Sequence, residues 1–208
     1  MLIFVSSLFL AVVLTPLARN LGRRLGFLDM PDERRIHRYP VPRMGGAAIY
    51  LSFIVALFVF GDRFRIPQLV AILLGATLVS FLGLWDDRRS ISPTAKLLGQ
   101  LLAASILLSA GVRVRMFHLP WLDLPATLFW VLYITNAMNL LDNMDGLAGG
   151  VGAIASSFFL LFAILNGQYL VGLLGAALAG ACLGFLLYNF NPATIFMGDS
   201  GSMFLGFV

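Results

Sequence analysis

The sequence predicts an all-α protein, a polytopic transmembrane helical bundle in a single integral membrane domain over residues 1–208. Three observations predict it. Apolar residues make up 60% of the chain and charged residues 12%, with a mean hydropathy of +0.92, where an ordinary soluble domain is about a quarter charged. The apolar residues fall in long blocks separated by short polar breaks. The blocks also lack the alternating polarity of barrel strands, so they satisfy their backbone hydrogen bonds in lipid as helices. The same composition excludes a disordered chain. The one cysteine, Cys182, has no partner, which excludes a disulfide framework. The net charge of +4 reads as a record of orientation in the bilayer, not as nucleic-acid binding.

The spans are expected at Leu2–Ala18, Gly45–Phe60, Pro67–Trp85, Pro93–Ala110, Leu124–Leu141, Gly150–Leu165 and Gln168–Tyr188. These are about seven complete crossings, with an eighth beginning near Gly201. A crossing takes about 20 helical residues, so several spans borrow flanking positions. No basic residue precedes the first block and a cluster of arginines follows it, which argues against a cleavable signal peptide and puts the N-terminus outside. Counted from there, one side holds Arg19, Arg23, Arg24, Arg34, Arg35, Arg38, Arg43, Arg88, Arg89 and Lys96, and the other holds Arg63, Arg65, Arg113 and Arg115. The richer side is expected to be cytoplasmic. Of the ten acids, only Asp62 and Asp123 fall opposite. Acids contribute little to topology, so their gathering on the basic side needs another cause. A polar site at the cytoplasmic helix ends supplies one.

Four segments carry that site. The first is Trp85-Asp86-Asp87-Arg88-Arg89, directly after the third span. Carboxylates at a helix C-terminus oppose its dipole, although Arg88 and Arg89 offset this. The second is Asn136-Ala-Met-Asn139-Leu-Leu-Asp142-Asn143-Met-Asp145-Gly146. Asn139 and Asp142 share a helix face, and Asp145 lies past the helix end, where Gly146 permits a turn. Asparagine alone can serve as polar glue between helices, but two acids with two asparagines exceed that need and mark a site. The third runs from Asn189 to Ser202, where Gly198 and Gly201 bracket Asp199 and Ser200, and Ser202 is expected to cap the next helix and leave its amides facing an anion. The fourth is the first cytoplasmic loop. There Arg38 and Arg43 are candidates to clamp a phosphate, with Gly45-Gly46 opening a helix toward it; setting topology is the competing use of these arginines. His118 and the loop around it face the other side and receive no role.

No Cys–His or His–Glu spacing is present for zinc, and no nucleophile elbow or nucleotide-hydrolase phosphate loop. Oxygen-only donors suit Mg²⁺, and arginines suit phosphate. The residues therefore predict Mg²⁺-dependent phosphoryl-type transfer at the cytoplasmic interface, with Mn²⁺ as a substitute metal.

Pro42-Arg-Met-Gly-Gly, Trp85-Asp-Asp-Arg, Asn136-Ala-Met-Asn-Leu-Leu-Asp-Asn-Met-Asp-Gly and Phe196-Met-Gly-Asp-Ser-Gly-Ser together resemble the polyprenyl-phosphate N-acetylhexosamine-1-phosphate transferases of glycosyltransferase family 4. The text is closer to the WecA/TagO branch than to the MraY branch. The resemblance implies transfer of a sugar 1-phosphate, GlcNAc-1-phosphate by branch, from a UDP-N-acetylhexosamine to undecaprenyl phosphate. UMP is released, Mg²⁺ is required, and the reaction is the first membrane step of cell-envelope polysaccharide synthesis. It implies a bacterial plasma membrane location with a cytoplasmic active site, and a homodimer as an assembly to test. Residue by residue, it makes Asn139 and Asp199 metal ligands and makes Asp86 and Asp87 the pair that activates or positions the lipid phosphate. Asp142, Asp145 and Asn189 match positions lining the nucleotide-sugar site. Lys96 matches a motif lysine that holds phosphate, against the alternative of snorkelling from a helix end.

Two departures stand out. Asn143 occupies a position where relatives often have glycine, and the chain ends nine residues after Asp199, before the further spans and histidine-containing loop of the family. On that ground the 208-residue chain by itself is expected to be inactive or very weak. Two other readings compete. Asp142-x-x-Asp145-Gly146-x-Ala148 resembles the start of the CDP-alcohol phosphotransferase motif, but Gly149 replaces its arginine. A secondary transporter would instead place its acids near the midplane.

Overall fold

The computed structural model describes residues 1–31, 39–60 and 66–208. Arg34, Arg35, His37, Arg38, Asp62, Arg63 and Arg65 lie outside the described residues. The described residues hold eight helices: α1 (Leu2–Leu25), α2 (Gly45–Phe60), α3 (Pro67–Arg88), α4 (Pro93–Ser109), α5 (Pro120–Leu141), α6 (Leu147–Leu165), α7 (Tyr169–Asn189) and α8 (Asp199–Phe207). Five of them, α1, α3, α5, α6 and α7, are long and apolar enough to cross a membrane, and α2 and α4 are shorter, at 16 and 17 residues. The chain is a multi-pass membrane protein.

The all-α expectation holds with one addition. A two-residue antiparallel pair, β1 (Leu28–Asp29) with β2 (Val41–Pro42), joins the chain on either side of the first loop, with Leu28 opposite Pro42. Helix ends depart from the expected spans in instructive ways. α1 runs past Arg19, Arg23 and Arg24 and stops at Gly26, whose φ of 75° lets its N–H turn back to the Gly22 carbonyl. α3 continues through Arg88, so Asp86 and Asp87 belong to its last turn instead of following it. α8 begins at Asp199, not at Gly201.

α7 is the buried centre of the bundle: 67% of its most apolar window is buried, against 17% for α1. Its sequence explains this, because small residues fill Gly175–Cys182 apart from Leu178 and let neighbours approach closely. A Cβ on Gly180 would lie 2.4 Å from the Phe4 carbonyl oxygen of α1, and one on Gly184 would lie 2.6 Å from that of Leu8. Several polar groups inside the bundle are matched, although the buried hydroxyls of Thr135 and Ser200 have no hydrogen-bond partner among the described residues. Ser7 Oγ donates to the Ala177 carbonyl at 2.6 Å. Pro16 lacks the N–H that would serve the Val12 carbonyl, and the Tyr188 hydroxyl donates to that carbonyl at 3.0 Å.

α8 is buried from Ser200 to Phe207 and sits among α2, α3 and α5. Glycines on α3 make its seat. A Cβ on Gly83 would come 2.4 Å from the Asp199 carbonyl oxygen, and one on Gly75 would come 2.2 Å from the Phe207 ring. Because successive helices reverse direction, one end of the bundle collects the C-termini of α1, α3, α5 and α7 and the N-termini of α2, α4, α6 and α8. The described residues of all four sequence motifs lie at that end.

Candidate active site

The short connection from α3 to α4 brings Asp86 back over Lys96. Asp86 Oδ1 accepts the Ile91 N–H at 2.9 Å, which fixes the carboxylate, and Oδ2 accepts from Lys96 Nζ at 3.0 Å. The same ammonium donates to Asn139 Oδ1 on α5 at 3.2 Å and to Asp199 Oδ2 on α8 at 2.5 Å. Asn139 is held from its other side, its Nδ2 donating to Ser202 Oγ at 2.8 Å. Three oxygens from three helices thus meet within 3.2 Å of one nitrogen atom. Lys96, Asp86 and Asp199 are each only about a fifth exposed, so the cluster is sheltered but open to a ligand.

Asp87, one step along α3, points elsewhere. Its Oδ1 accepts the Asp199 N–H at 2.9 Å and its Oδ2 the Ser200 N–H at 3.1 Å. The anion at the N-terminus of α8 is therefore the protein's own carboxylate. This corrects two expectations. Ser202 does not cap α8; its hydroxyl donates to the Gly198 carbonyl at 3.1 Å. And those first-turn amides are spent on Asp87, which ties α8, with Asp199 at its first position, to the end of α3. The glycine pair that opens α2 does not present free amides to a phosphate either. Gly45 N–H donates to the Phe196 carbonyl at 2.9 Å and Gly46 N–H to that of Met197 at 2.8 Å. A Cβ on Gly46 would lie 2.1 Å from the Gly201 nitrogen, so glycine is required here for close approach of the two chain segments.

Arg43 stands at the margin. Its guanidinium pairs with Asp29 at 3.4 Å and acts electrostatically on Asp87 and Asp142. Asp142, just past α5, faces the Gly198 N–H. Burial, and next the neighbouring Asp87 carboxylate, push its carboxyl up to about 8.

The other expected positions have structural partners. Asp145 Oδ2 accepts from Asn191 Nδ2 at 3.1 Å and from the Ala193 N–H at 3.0 Å. Asn189 is 3% exposed, and both ends of its amide are engaged, accepting the Gly146 N–H at 3.1 Å and donating to the Ile195 carbonyl at 3.0 Å. Asp145 and Asn189 therefore lace the α5–α6 turn to the α7–α8 loop that leads into Asp199, and both polar atoms of the buried Asn189 side chain already have protein partners. Asn136 is interhelical glue, in a reciprocal amide pair with Gln100, at 2.8 Å and 3.3 Å. Gln100 was not anticipated. Its signal was present, a polar residue one helical turn after Lys96 on an otherwise apolar helix.

Among the described residues no three His, Cys, Asp or Glu side chains form a metal-binding group. The cluster's donors are instead two carboxylates and one carboxamide. That set is hard and oxygen-only, already holds a cation, and fits Mg²⁺.

The Glycosyl transferase family 4 model matches residues 69–208. This chain belongs to that family. It is 36% identical over 213 residues to a Bacillus subtilis protein described as a probable undecaprenyl-phosphate N-acetylglucosaminyl 1-phosphate transferase, covering 98% of this chain and 59% of the relative. It is 36% identical over 217 residues to the decaprenyl-phosphate N-acetylglucosaminephosphotransferase of Mycobacterium tuberculosis, covering 90% and 53%. Against the phospho-N-acetylmuramoyl-pentapeptide-transferase of B. subtilis the identity is 32% over 225 residues, covering 98% and 69%. The chain thus spans little more than half the length of the N-acetylglucosaminyl relatives, and it resembles them more than the muramoyl-pentapeptide enzyme.

Proposed function

We propose that the protein transfers N-acetylhexosamine 1-phosphate, GlcNAc-1-phosphate as the preferred donor group, from a UDP-sugar to undecaprenyl phosphate at the cytoplasmic face of a bacterial membrane. The observation that carries this reading is the meeting of Asp86, Asn139 and Asp199, from three separate motifs, around one cation at one end of the bundle.

In this reading a lipid phosphate oxygen attacks the β-phosphorus of the UDP-sugar. The bond from that phosphorus to the oxygen bridging to UMP breaks, and UMP leaves as polyprenyl diphosphosugar forms. Asn139 and Asp199 would hold Mg²⁺, which supplies neutralisation of diphosphate and leaving-group charge when bound. The nucleophile is a phosphate monoester already anionic near neutral pH, so positioning and charge do most of the work and no strong base is needed. Asp86 is presented toward the reacting groups with its other oxygen pinned by Ile91. Asp87 is a positioning residue that fixes Asp199 through the α8 amides. Lys96 and Arg43 answer phosphate charge, Asp142 borders the nucleotide-sugar side, and Asp145 and Asn189 shape that side through the loop they hold. Arg38 is retained as a phosphate contact on its sequence position alone.

The test is UMP release from UDP-GlcNAc by the complete protein in membranes supplied with undecaprenyl phosphate. Release dependent on the lipid and on Mg²⁺, and lost in Asp199→Asn, is expected. CMP release from a CDP-lipid, or solute uptake without a lipid-linked product, would favour the competing readings instead.

A further inference from the structure

Lys96 is oddly placed for a structural lysine. It sits near the N-terminus of α4, where a positive charge opposes the helix dipole, so helix stability does not explain it. An ammonium has three N–H donors. Here they meet three acceptors, Asp86 Oδ2, Asn139 Oδ1 and Asp199 Oδ2. No donor remains for a phosphate, so in this arrangement Lys96 cannot perform the phosphate contact assigned to it. The acceptors, by contrast, are held without its help: Asp86 by the Ile91 N–H, Asn139 by Ser202, and Asp199 by its place at the start of α8, which Asp87 anchors. The oxygen cage would therefore persist if the ammonium left, and a flexible four-carbon stem allows it to leave.

We infer that Lys96 is an internal placeholder cation. Its ammonium occupies the divalent-cation position of the metal-free protein, and metal binding at Asn139 and Asp199 displaces it, freeing its three donors for substrate phosphate. The inference rests on the proposed reading of Asn139 and Asp199 as metal ligands. Its physical basis is exclusion: an ammonium and a divalent cation sharing the same oxygens would stand only a few ångströms apart and repel.

The test is Mn²⁺ binding, followed by electron paramagnetic resonance, to the purified protein and to its Lys96→Met and Lys96→Arg variants. A placeholder must compete with metal, so Lys96→Met is expected to bind Mn²⁺ tighter by about tenfold or more, while Lys96→Arg, which keeps the charge, stays near the parent. A lysine that merely supports the cage predicts the reverse, and equal or weaker Mn²⁺ binding by Lys96→Met would overturn the inference. Absence of Mn²⁺ binding from all three proteins would overturn the metal assignment with it. Mn²⁺ binding as expected, with no UMP release by the complete protein, would leave the inference standing and reject the proposed reaction.

A second measurement needs no variant. Lys96 is the only lysine in the sequence, so acylation by an amine reagent, resolved from the N-terminus by peptide mass spectrometry, reports on it alone. Mg²⁺ is expected to speed its labelling severalfold. Unchanged or slower labelling would contradict displacement.

Discussion

The two ends of the bundle treat their acids differently. At the end opposite the motifs, Asp123 is 3% exposed and serves its own neighbourhood. Its Oδ1 accepts the Phe117 N–H, six residues away, and its carbonyl accepts from Thr127 Oγ1, whose oxygen in turn receives the Val114 N–H. At the motif end Asp86 also has nearby partners in Ile91 and Lys96, but those of Asp87 and Asp199 are remote in sequence. Lys96 reaches Asp199 across 103 residues and Asn139 across 43, and Asp87 reaches the Asp199 amide across 112. Asp123 holds its own loop with nearby groups. Asp87 and Asp199 are brought to their partners by the fold, and keeping several carboxylates together costs electrostatic repulsion that cations must offset.

This contrast makes graded predictions. In the complete protein, Asp199→Asn should lower UMP release by about a thousandfold or more while the protein still folds, since it removes a charge at the reacting centre; retained activity would break the contrast at its strongest point. Gly46→Ala should destabilise by about 2 kcal/mol or more, read as a lowered melting temperature, because its methyl would overlap the Gly201 backbone. Asp87→Asn should cut activity and also cost about 1–2 kcal/mol of stability, as loss of a helix cap does, whereas Asp86→Asn should cut activity with a smaller change in melting. Asp123→Asn, at the other end, should cost about 1 kcal/mol and leave turnover unchanged.

A pH series sharpens the same comparison. The Asp142 carboxyl titrates near 8 in the fold and near 3.8 as an ordinary carboxyl. Between those values the unfolded chain has released the proton and the folded protein has not, so stability falls as pH rises through that window. Asp142→Asn should flatten this decline in thermal melts across pH 5 to 8. A decline of equal slope in the variant would assign it to another group.

Much of this was legible beforehand because it is local. Apolar blocks mark helices whatever their neighbours, and asparagine or aspartate at a span's end is costly enough to mark the motif end. The side-chain assignments were less legible. Asp86 and Asp87 are adjacent, yet one faces Lys96 and the other caps α8, and only the position of α8 decides which does which. Gly45 and Gly46 looked like a phosphate cradle, but their amides are consumed by Phe196 and Met197. Lys96 was balanced between holding phosphate and snorkelling, and its place at the centre of the cluster follows from contacts with two helices far along the chain. The β1–β2 pair gave no signal, since two residues are too few for a strand pattern.

The central claim is that distant motifs are energetically joined at one end of the bundle. A double-mutant cycle on Lys96→Met and Asp199→Asn, followed by unfolding free energy, tests it most directly. The account predicts a coupling of about 1–3 kcal/mol for this pair, and additivity within about 0.5 kcal/mol for Lys96→Met with Asp123→Asn. Additive effects in the Lys96–Asp199 cycle would contradict it.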